Sequence, residues 1–265
     1  MDFRANLFLV FIFFTALVQA QDFSELIPDR AFTQYPLPDS TYRATSFNMV
    51  GEVQLAVPIR QGIYNANLGL WTILPGSYVM SYCSKGSQDY YLRSDTLGNY
   101  LSLISLKDTV LTELGTINFG NFRLKTVINS EDIIIYGQDL QGSKIYRFRD
   151  GEITKIAEHE APIYDLVSME DQILFVSEKS LYSVENEVPV KLLDLGVTLT
   201  GLSYGPSKTY FLSTVVGVFW IDSFTDKKPQ LITKVLNGVV HYQFDTLFLL
   251  DYMTNSIFRI EFKEK

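Results

Sequence analysis

A pattern of apolar strand, short polar loop and second apolar strand recurs along this sequence about every 40 residues. The four clearest copies begin at Ile133, Ile173, Thr209 and Leu247, so their starts differ by 40, 36 and 38 residues. In each copy the second strand ends on an aromatic residue, any residue and an apolar residue, as at residues 146–148. Self-similarity of this length predicts an array of repeated supersecondary units.

Two weaker copies precede these four. One begins at Tyr90, 43 residues before Ile133, and the other begins at Glu52, 38 residues before Tyr90. Short apolar runs separated by Gly, Asp, Asn, Ser and Lys are typical of strands and turns. Because the spaces between copies hold further strand-like runs, we expect each unit to be four antiparallel strands, the blade of a propeller.

The number of units and the last unit together predict how the fold is completed. Six units of about 40 residues need about 240 residues, so the predicted fold is an all-β, six-bladed β-propeller of four-stranded antiparallel blades. The last unit lacks a fourth strand, and an open sheet edge is a pairing hazard. We expect residues 31–35 to supply that strand and close the ring, with Pro36 and Pro38 ending it. A loose N-terminal linker is the alternative.

The first residues have the features of a secretory signal. Arg4 precedes an apolar run at residues 7–18, and Val18 and Ala20 fit the small-residue positions before a cleavage at Gln21. The run is shorter than a membrane span requires, although an uncleaved N-terminal anchor is the alternative. We therefore expect a signal peptide at 1–20, an extended segment at 21–40 that closes the last blade, and a propeller domain at 41–265.

Charge and cysteine content limit the partners and the compartment. The formal net charge is −8 and basic runs are absent, which disfavours nucleic acid and anionic membranes as partners. The single Cys83 cannot form an internal disulfide, and its apolar neighbours predict an inert buried thiol. We expect a monomeric protein that is secreted or periplasmic, without a membrane span once the signal is removed.

The copy at 247–260, LFLLDYMTNSIFRI, resembles the repeat of the NHL, YWTD and SMP-30/gluconolactonase-like group of six-bladed propellers. Asp251 and Asn255 stand where those repeats have their acid and amide, and Asp95 and Asn99 keep the same spacing. Two of the middle copies lack the pair, and no unit reads YWTD. The resemblance therefore implies the architecture, whereas an activity does not follow from it, because propellers host many functions.

Two patterns that could carry chemistry have structural interpretations. Asp and Asn side chains accept backbone N–H bonds and tolerate turn dihedrals, so the Asp–Asn pair is predicted to hold its loop. Residues 201–205 match G-x-S-x-G, but a nucleophile elbow needs a following helix, and here a strand follows. A triad would require His159 or His241, with Asp165 or Asp245 to orient it, and nothing in the sequence brings these together.

A candidate metal site can be drawn from Asn121, Glu160 and Asn237. Each of the three precedes the inner strand of a different predicted blade. A carboxylate and two amides suit a hard cation such as Ca²⁺. SMP-30-like lactonases have a metal site of this general kind, so the resemblance implies the same possibility here. The alternative is turn structure, since Asn237 and the following glycine form an ordinary turn pair.

Two functional hypotheses follow. The leading one is an exported β-propeller that acts as a ligand-binding or protein-interaction module, with no cofactor and no catalysis of its own, because histidines are few and no catalytic motif is intact. Its ligand or protein partner is not specified by the sequence. The alternative is a Ca²⁺-dependent lactonase or hydrolase of the SMP-30-like type that uses Asn121, Glu160 and Asn237.

Overall fold

The computed structural model of the chain describes residues 32–38, 46–49, 53–57, 62–73, 78–95, 97–107, 110–169, 171–206, 209–221, 229–233, 238–243, 245–251 and 255–261. The predicted signal peptide at 1–20 and the candidate ligand Asn237 lie outside these residues. Within them, no helix has the length and apolar character of a membrane span.

The described residues form twenty-four strands in six four-stranded antiparallel sheets. Sheet 1 holds β2 (Ser46–Met49), β3 (Val53–Val57), β4 (Gly62–Asn65) and β5 (Leu70–Ile73); sheet 2 holds β6 (Tyr78–Lys85), β7 (Gln88–Ser94), β8 (Tyr100–Lys107) and β9 (Val110–Asn118); sheet 3 holds β10 (Asn121–Thr126), β11 (Ile133–Asp139), β12 (Gly142–Arg149) and β13 (Glu152–His159). Sheet 4 holds β14 (Ile163–Met169), β15 (Gln172–Ser177), β16 (Ser180–Glu185) and β17 (Val188–Asp194); sheet 5 holds β18 (Leu199–Tyr204), β19 (Tyr210–Thr214), β20 (Gly217–Ile221) and β21 (Gln230–Thr233); sheet 6 holds β22 (Gly238–Gln243), β23 (Thr246–Asp251), β24 (Ser256–Glu261) and β1 (Phe32–Pro36).

The fold is an all-β propeller of antiparallel four-stranded blades, and the repeat predicts its strands well. Each predicted hairpin is present as the second and third strands of a sheet. The middle strands do not alternate between apolar and polar residues because sheets pack on both of their faces. In β11, for example, Ile133, Ile134 and Ile135 are all fully buried.

The N-terminal strand β1 lies at the outer edge of sheet 6. It pairs antiparallel with β24, from Phe32 opposite Ile260 to Pro36 opposite Ser256, one residue later than the predicted 31–35. Proline has no N–H to donate to a strand ladder, so in sheets it is tolerated mainly on edge strands, and Pro36 occupies such a strand.

Hydrogen bonds hold the residues after β1 against the β23–β24 loop. The Asn255 side-chain amide donates to the carbonyl oxygens of Leu37 and Pro38, at 3.3 and 3.0 Å. The Leu37 backbone N–H donates to the carbonyl oxygen of Asn255 at 2.9 Å. Asn255 has a φ of 47°, a left-handed conformation that asparagine adopts more readily than most residues.

Apolar side chains fill the junctions between neighbouring sheets. Between sheets 6 and 1, Leu55 and Tyr64 pack with Val239, Leu250 and Ile257. Strand β2 contacts both β6 and β22, and the first strands of sheets 2 to 6 contact one another in sequence order. The first and last sheets are therefore packed against each other.

Cys83 lies in the apolar cluster between sheets 2 and 3 and is almost fully buried. Burial raises the pKa of its thiol far above the ordinary value, which keeps the sulfur protonated. The predicted burial of this cysteine is confirmed.

Candidate functional site

The antiparallel topology brings two sets of loops to one face of the molecule. The loop between the second and third strands of a sheet lies at the same end as the start of its first strand, which follows the preceding sheet. Backbone bonds join these loops: the Phe119 N–H donates to the Asn99 oxygen, and the Leu199 N–H donates to the Glu178 oxygen. We call this end of the sheets the upper face and the opposite end the lower face.

Four large apolar side chains are exposed on neighbouring loops and strand ends of the upper face, in sheets 2 and 3. Leu97 in the β7–β8 loop is 81% exposed, and Leu140 at the tip of the β11–β12 hairpin is fully exposed. Tyr100 and Phe119 are 43% and 42% exposed. We call Leu97, Tyr100, Phe119 and Leu140 the apolar surface.

Hydrogen bonds fix the loops that carry the apolar surface. Asp95 accepts from the N–H groups of Asn99, at 2.6 Å, and Tyr100, at 3.2 Å. Asp139 accepts from the Gln141 N–H at 2.8 Å and from the Lys144 ammonium at 2.6 Å. The exposed leucines are therefore presented by turns that are rigid because of their own side-chain bonds.

Asp139 also links the two loops. Burial alone would raise the pKa of Asp139, but hydrogen bonds from Lys144, Gln141 and Asn118 lower it, so the carboxylate stays ionised. Asn118 ends β9 immediately before Phe119, so this bond joins the β9–β10 connection to the Leu140 hairpin. The loops that carry the apolar surface are thus linked to one another across sheets 2 and 3.

An aromatic cluster with a histidine lies on the other side of the Leu140 hairpin, at the junction of sheets 3 and 4. The ring of His159 lies 5.2 Å from that of Phe175 and 4.7 Å from that of Tyr182, measured between centroids. Its Nε2 atom is 3.1 Å from the hydroxyl oxygen of Ser177. Burial lowers the pKa of His159, although Glu160 and Glu178 oppose that shift, so the ring is neutral at pH 7.

The carboxylates of Glu160 and Glu178 flank this histidine. Both residues are exposed, and both are close enough to His159 to act on its pKa. No salt bridge or hydrogen bond engages either carboxylate within the described part of the chain. We call Glu160 and Glu178 the carboxylate pair.

A buried ion pair lies on the inner strands, toward the centre of the sheets. The Lys125 ammonium of β10 is 3.1 Å from the Asp165 carboxylate of β14, which is fully buried. Asp165 also accepts from the Tyr136 hydroxyl at 2.9 Å and from the N–H groups of Leu166 and Leu202, at 2.9 and 3.0 Å. Donors from sheets 3, 4 and 5 therefore converge on one carboxylate.

His241 lies on the inner strand β22, close enough to this ion pair for both charges to act on the pKa of its imidazole. Burial lowers the pKa of His241 to about 3, the Lys125 ammonium adds to the effect, and Asp165 opposes it. The side chain of His241 is partly exposed. The imidazole is neutral at pH 7 and is not poised as a general base near that pH.

The structure describes two of the three residues predicted for a metal site. Asn121 is exposed at the start of β10, opposite Gln138 in the register, and Glu160 follows the outer strand β13. Both lie on the upper face, whereas Asn237 is outside the described residues. Within the described ranges, no group of three His, Cys, Asp or Glu side chains is arranged to hold a metal ion.

The serine of the G-x-S-x-G match has a structural position. Ser203 is buried in β18, where its hydroxyl accepts from the Tyr242 N–H at 2.8 Å and donates to the Tyr204 carbonyl oxygen at 3.1 Å. Within the described residues, a 3₁₀ turn at Pro206 and then β19 follow it rather than an α-helix. Both bonds of its hydroxyl are to the backbone. His159, one of the two histidines that a triad would require, ends the outer strand β13.

The two Asp–Asn pairs of the resemblance differ. Asp95 holds its own loop, which is the predicted turn structure. Asp251 is fully buried at the end of β23 opposite Ser256, not in the loop as expected, and Asn255 binds the N-terminal segment.

Sequence reasoning missed the apolar surface and Glu178. An available signal was the placement of Leu140 in a two-residue turn between Asp139 and Gly142, where polar residues are usual. Glu178 occupies the equivalent turn of sheet 4 and resembles any solvated turn residue.

No known protein family and no curated protein matches this sequence. Solved structures match it in fold. The extracellular domain of the one-component system BT4673 from B. thetaiotaomicron is 12% identical with a TM-score of 0.57; the match covers 84% of this chain and 33% of that one. The chain thus spans about a third of the length of that protein.

Two further solved structures match over most of both chains. Regucalcin, a calcium-binding protein from Agrobacterium tumefaciens, is 12% identical with a TM-score of 0.56, covering 79% of this chain and 85% of its own. BBS1N, solved in complex with ARL6DN, is 14% identical with a TM-score of 0.56, covering 84% and 79%. At these identities the similarity shows the β-propeller fold alone.

Proposed function

We propose that this chain is an exported, six-bladed β-propeller that binds a partner polypeptide through its upper face and has no catalysis of its own. The observation that carries the proposal is the apolar surface on sheets 2 and 3. A large apolar patch on a protein surface often marks an interaction site, whereas single exposed apolar side chains are normal.

The six-bladed ring is supported by the strand pairing. Sheet 6 takes β1 as its outer strand, and sheet 1 packs against sheet 6 through Tyr64, Val239 and Leu250. A closed ring leaves no blade face open to solvent, which would account for the burial of middle strands in all parts of the chain. In this ring, residues 21–40 form the closing segment and residues 41–265 the propeller.

Export is supported by the N-terminal sequence and by the fold comparison. Residues 1–20 have the order of charge, apolar run and small residues that signal peptides have. One solved structure of similar fold is an extracellular domain. Secretion or transfer to a periplasm is therefore part of the proposal.

The apolar surface supports recognition of a protein. Interface centres are enriched in aromatic and large apolar side chains and poor in charge, as Leu97, Tyr100, Phe119 and Leu140 are here. The turns beneath them are held by Asp95 and Asp139, so little conformational entropy would be lost when a partner binds. BBS1N, a propeller of similar fold, was solved with a protein partner.

Differential capture tests this proposal. The mature chain, a Leu97→Ser/Leu140→Ser variant and a Val188→Ser control serve as baits in envelope and culture-fluid fractions from the source organism. Val188 is also exposed but begins β17 on the lower face, so it matches the change without touching the surface. We expect at least one protein to be retained by the wild type and the control and lost by the double variant.

A photo-crosslinking amino acid at Phe119 sharpens the result. The retained protein should crosslink at position 119 and not at position 188. Equal capture by all three baits, with unchanged melting temperatures, would mean that the apolar surface is not the binding site.

The alternative, a Ca²⁺-dependent lactonase or hydrolase, has its own test. A ligand at 100 times its Kd stabilises the folded state by about 2.7 kcal/mol, which raises the melting temperature. We expect no difference in melting between millimolar Ca²⁺ and EDTA, and no metal in the purified protein. A clear shift that is lost in Glu160→Gln would favour the alternative over a binding module.

A further inference from the structure

The apolar surface borders a patch of negative charge at the junction of sheets 3 and 4. Gly142 follows the Leu140 turn, and a Cβ at Gly142 would lie 3.7 Å from the His159 carbonyl oxygen, one residue before Glu160. Ser177 contacts His159 and precedes Glu178. The surface therefore passes from Leu140 to the carboxylate pair within a few residues.

The other charges nearby do not neutralise the carboxylate pair. Lys144 is paired with Asp139 and Lys155 with Glu158, at 2.6 and 2.5 Å. Burial keeps the His159 ring neutral at pH 7. Lys179, next to Glu178 in the same turn, forms no ion pair with either carboxylate within the described residues.

A second feature of the same junction lacks a partner. The hydroxyl of Ser143 is buried, and it has no hydrogen-bond partner. Ser143 lies directly opposite His159 in the β12–β13 register, so both side chains point to the same side of sheet 3. An unsatisfied buried hydroxyl is unusual, and a polar group that enters this junction could satisfy it.

Resting on the proposed function, we propose that the partner presents an extended segment whose apolar side chains cover the apolar surface and whose next basic side chain, lysine or arginine, binds between Glu160 and Glu178. The apolar surface supplies the contact area. The carboxylate pair supplies charge complementarity, which selects the partner and sets its direction across the face. A cation there can also pack against Tyr182, which is partly exposed.

Random dodecamer peptides on an array serve as the probe, with the full mature chain as the analyte. We expect peptides retained by the wild type, and lost by Leu97→Ser/Leu140→Ser, to have apolar residues followed by Lys or Arg. Replacing Lys in one such peptide by Gln should weaken binding about fivefold per charge contact, since exposed ion pairs contribute up to about 1 kcal/mol. The effect should shrink as salt is raised.

Glu160→Gln/Glu178→Gln is the key variant, and Glu131→Gln/Glu152→Gln is its matched control. The control removes the same charge from exposed positions on the lower face of sheet 3. We expect the key variant to bind the Lys and Gln peptides equally and the control to keep the preference for Lys. All four positions are exposed, so folding should be unaffected, which melting curves check.

The outcomes separate this inference from the proposed function. If peptides bind through the leucines but Lys and Gln forms bind equally, the basic residue is refuted and the binding module stands. If no peptide distinguishes the wild type from the leucine variant, both fail. Leucine-dependent binding to phosphatidylcholine vesicles, or leucine-dependent self-association in place of peptide binding, would also overturn the inference.

Discussion

The two ends of the junction between sheets 3 and 4 use polar residues in opposite ways. At the lower end, the guanidinium of Arg149 donates to both oxygens of Asp132, and Arg147 reaches across to Asp171 of sheet 4 at 2.9 Å. At the upper end, Glu160 and Glu178 form no such bonds.

This difference separates structure from binding. Polar groups that bond to one another hold sheets together. Groups without such partners remain able to form hydrogen bonds or ion pairs with a ligand. Between the two ends, Asp165 belongs to the first kind, since four donors engage it. We expect substitutions in the middle and at the lower end of the junction to lower the free energy of unfolding more than substitutions at the upper end.

The largest effect should come from the middle of the junction. Asp165→Ala removes a fully buried carboxylate and leaves Lys125 and two backbone N–H groups without their acceptor. Loss of one partner of a buried ion pair costs about 3–5 kcal/mol, so we expect a decrease of that size in the free energy of unfolding, measured with urea. Tyr136→Phe, which removes one hydrogen bond, should cost about 1 kcal/mol. If Asp165→Ala cost less than about 1 kcal/mol, the carboxylate would not be what holds the sheets together.

Acid should weaken the same region through His241. Its folded-state pKa is about 3, and an unfolded histidine has a pKa near 6.5. Between pH 6.5 and 5, the unfolded chain binds a proton that the folded protein does not, so stability falls as the pH is lowered, by up to about 2 kcal/mol. His241→Gln should make stability less dependent on pH in this window, and an unchanged slope would contradict the depressed pKa.

The lower end should give a smaller cost. Asp132→Ala leaves the Arg149 guanidinium without the carboxylate it binds, and bonds to charged groups contribute about 2 kcal/mol. Asp171 is 81% exposed, so Asp171→Ala is a control that should cost less than about 0.5 kcal/mol. Equal costs would mean that the bridge between sheets, rather than the buried carboxylate, carries the stability.

The upper end should give the smallest effect on stability. Glu160→Gln/Glu178→Gln removes two exposed charges that form no ion pair within the described residues, so we expect the free energy of unfolding to change by less than about 0.5 kcal/mol. A loss above 1 kcal/mol would place the carboxylate pair among the structural groups of the lower end.

The repeat predicted the strands because each unit encodes its own hairpins locally. The 40-residue period placed β11 and β12, β15 and β16 close to their observed bounds. The same reasoning placed a strand near residues 31–35, since a last unit of three strands lacks its fourth, outer strand. Local chemistry also gave the turn that Asp95 holds.

The candidate site was largely beyond the sequence because its contacts join residues of different sheets. The Leu202 N–H reaches the Asp165 carboxylate only because β14 and β18 are neighbours and because this N–H points toward β14. Ser143 is one of many serines until its register with His159 is known. Residue type identifies what a side chain can do, whereas the packing of sheets decides which side chains are left to do it.

The pairing of β1 with β24 has a consequence for the order of events during synthesis. Asn255 and Leu37, which bind each other, are 218 residues apart in sequence. Contacts of such separation form late, because the intervening chain must first be brought together. The first strand must therefore wait until β24 has been synthesised before it can complete sheet 6.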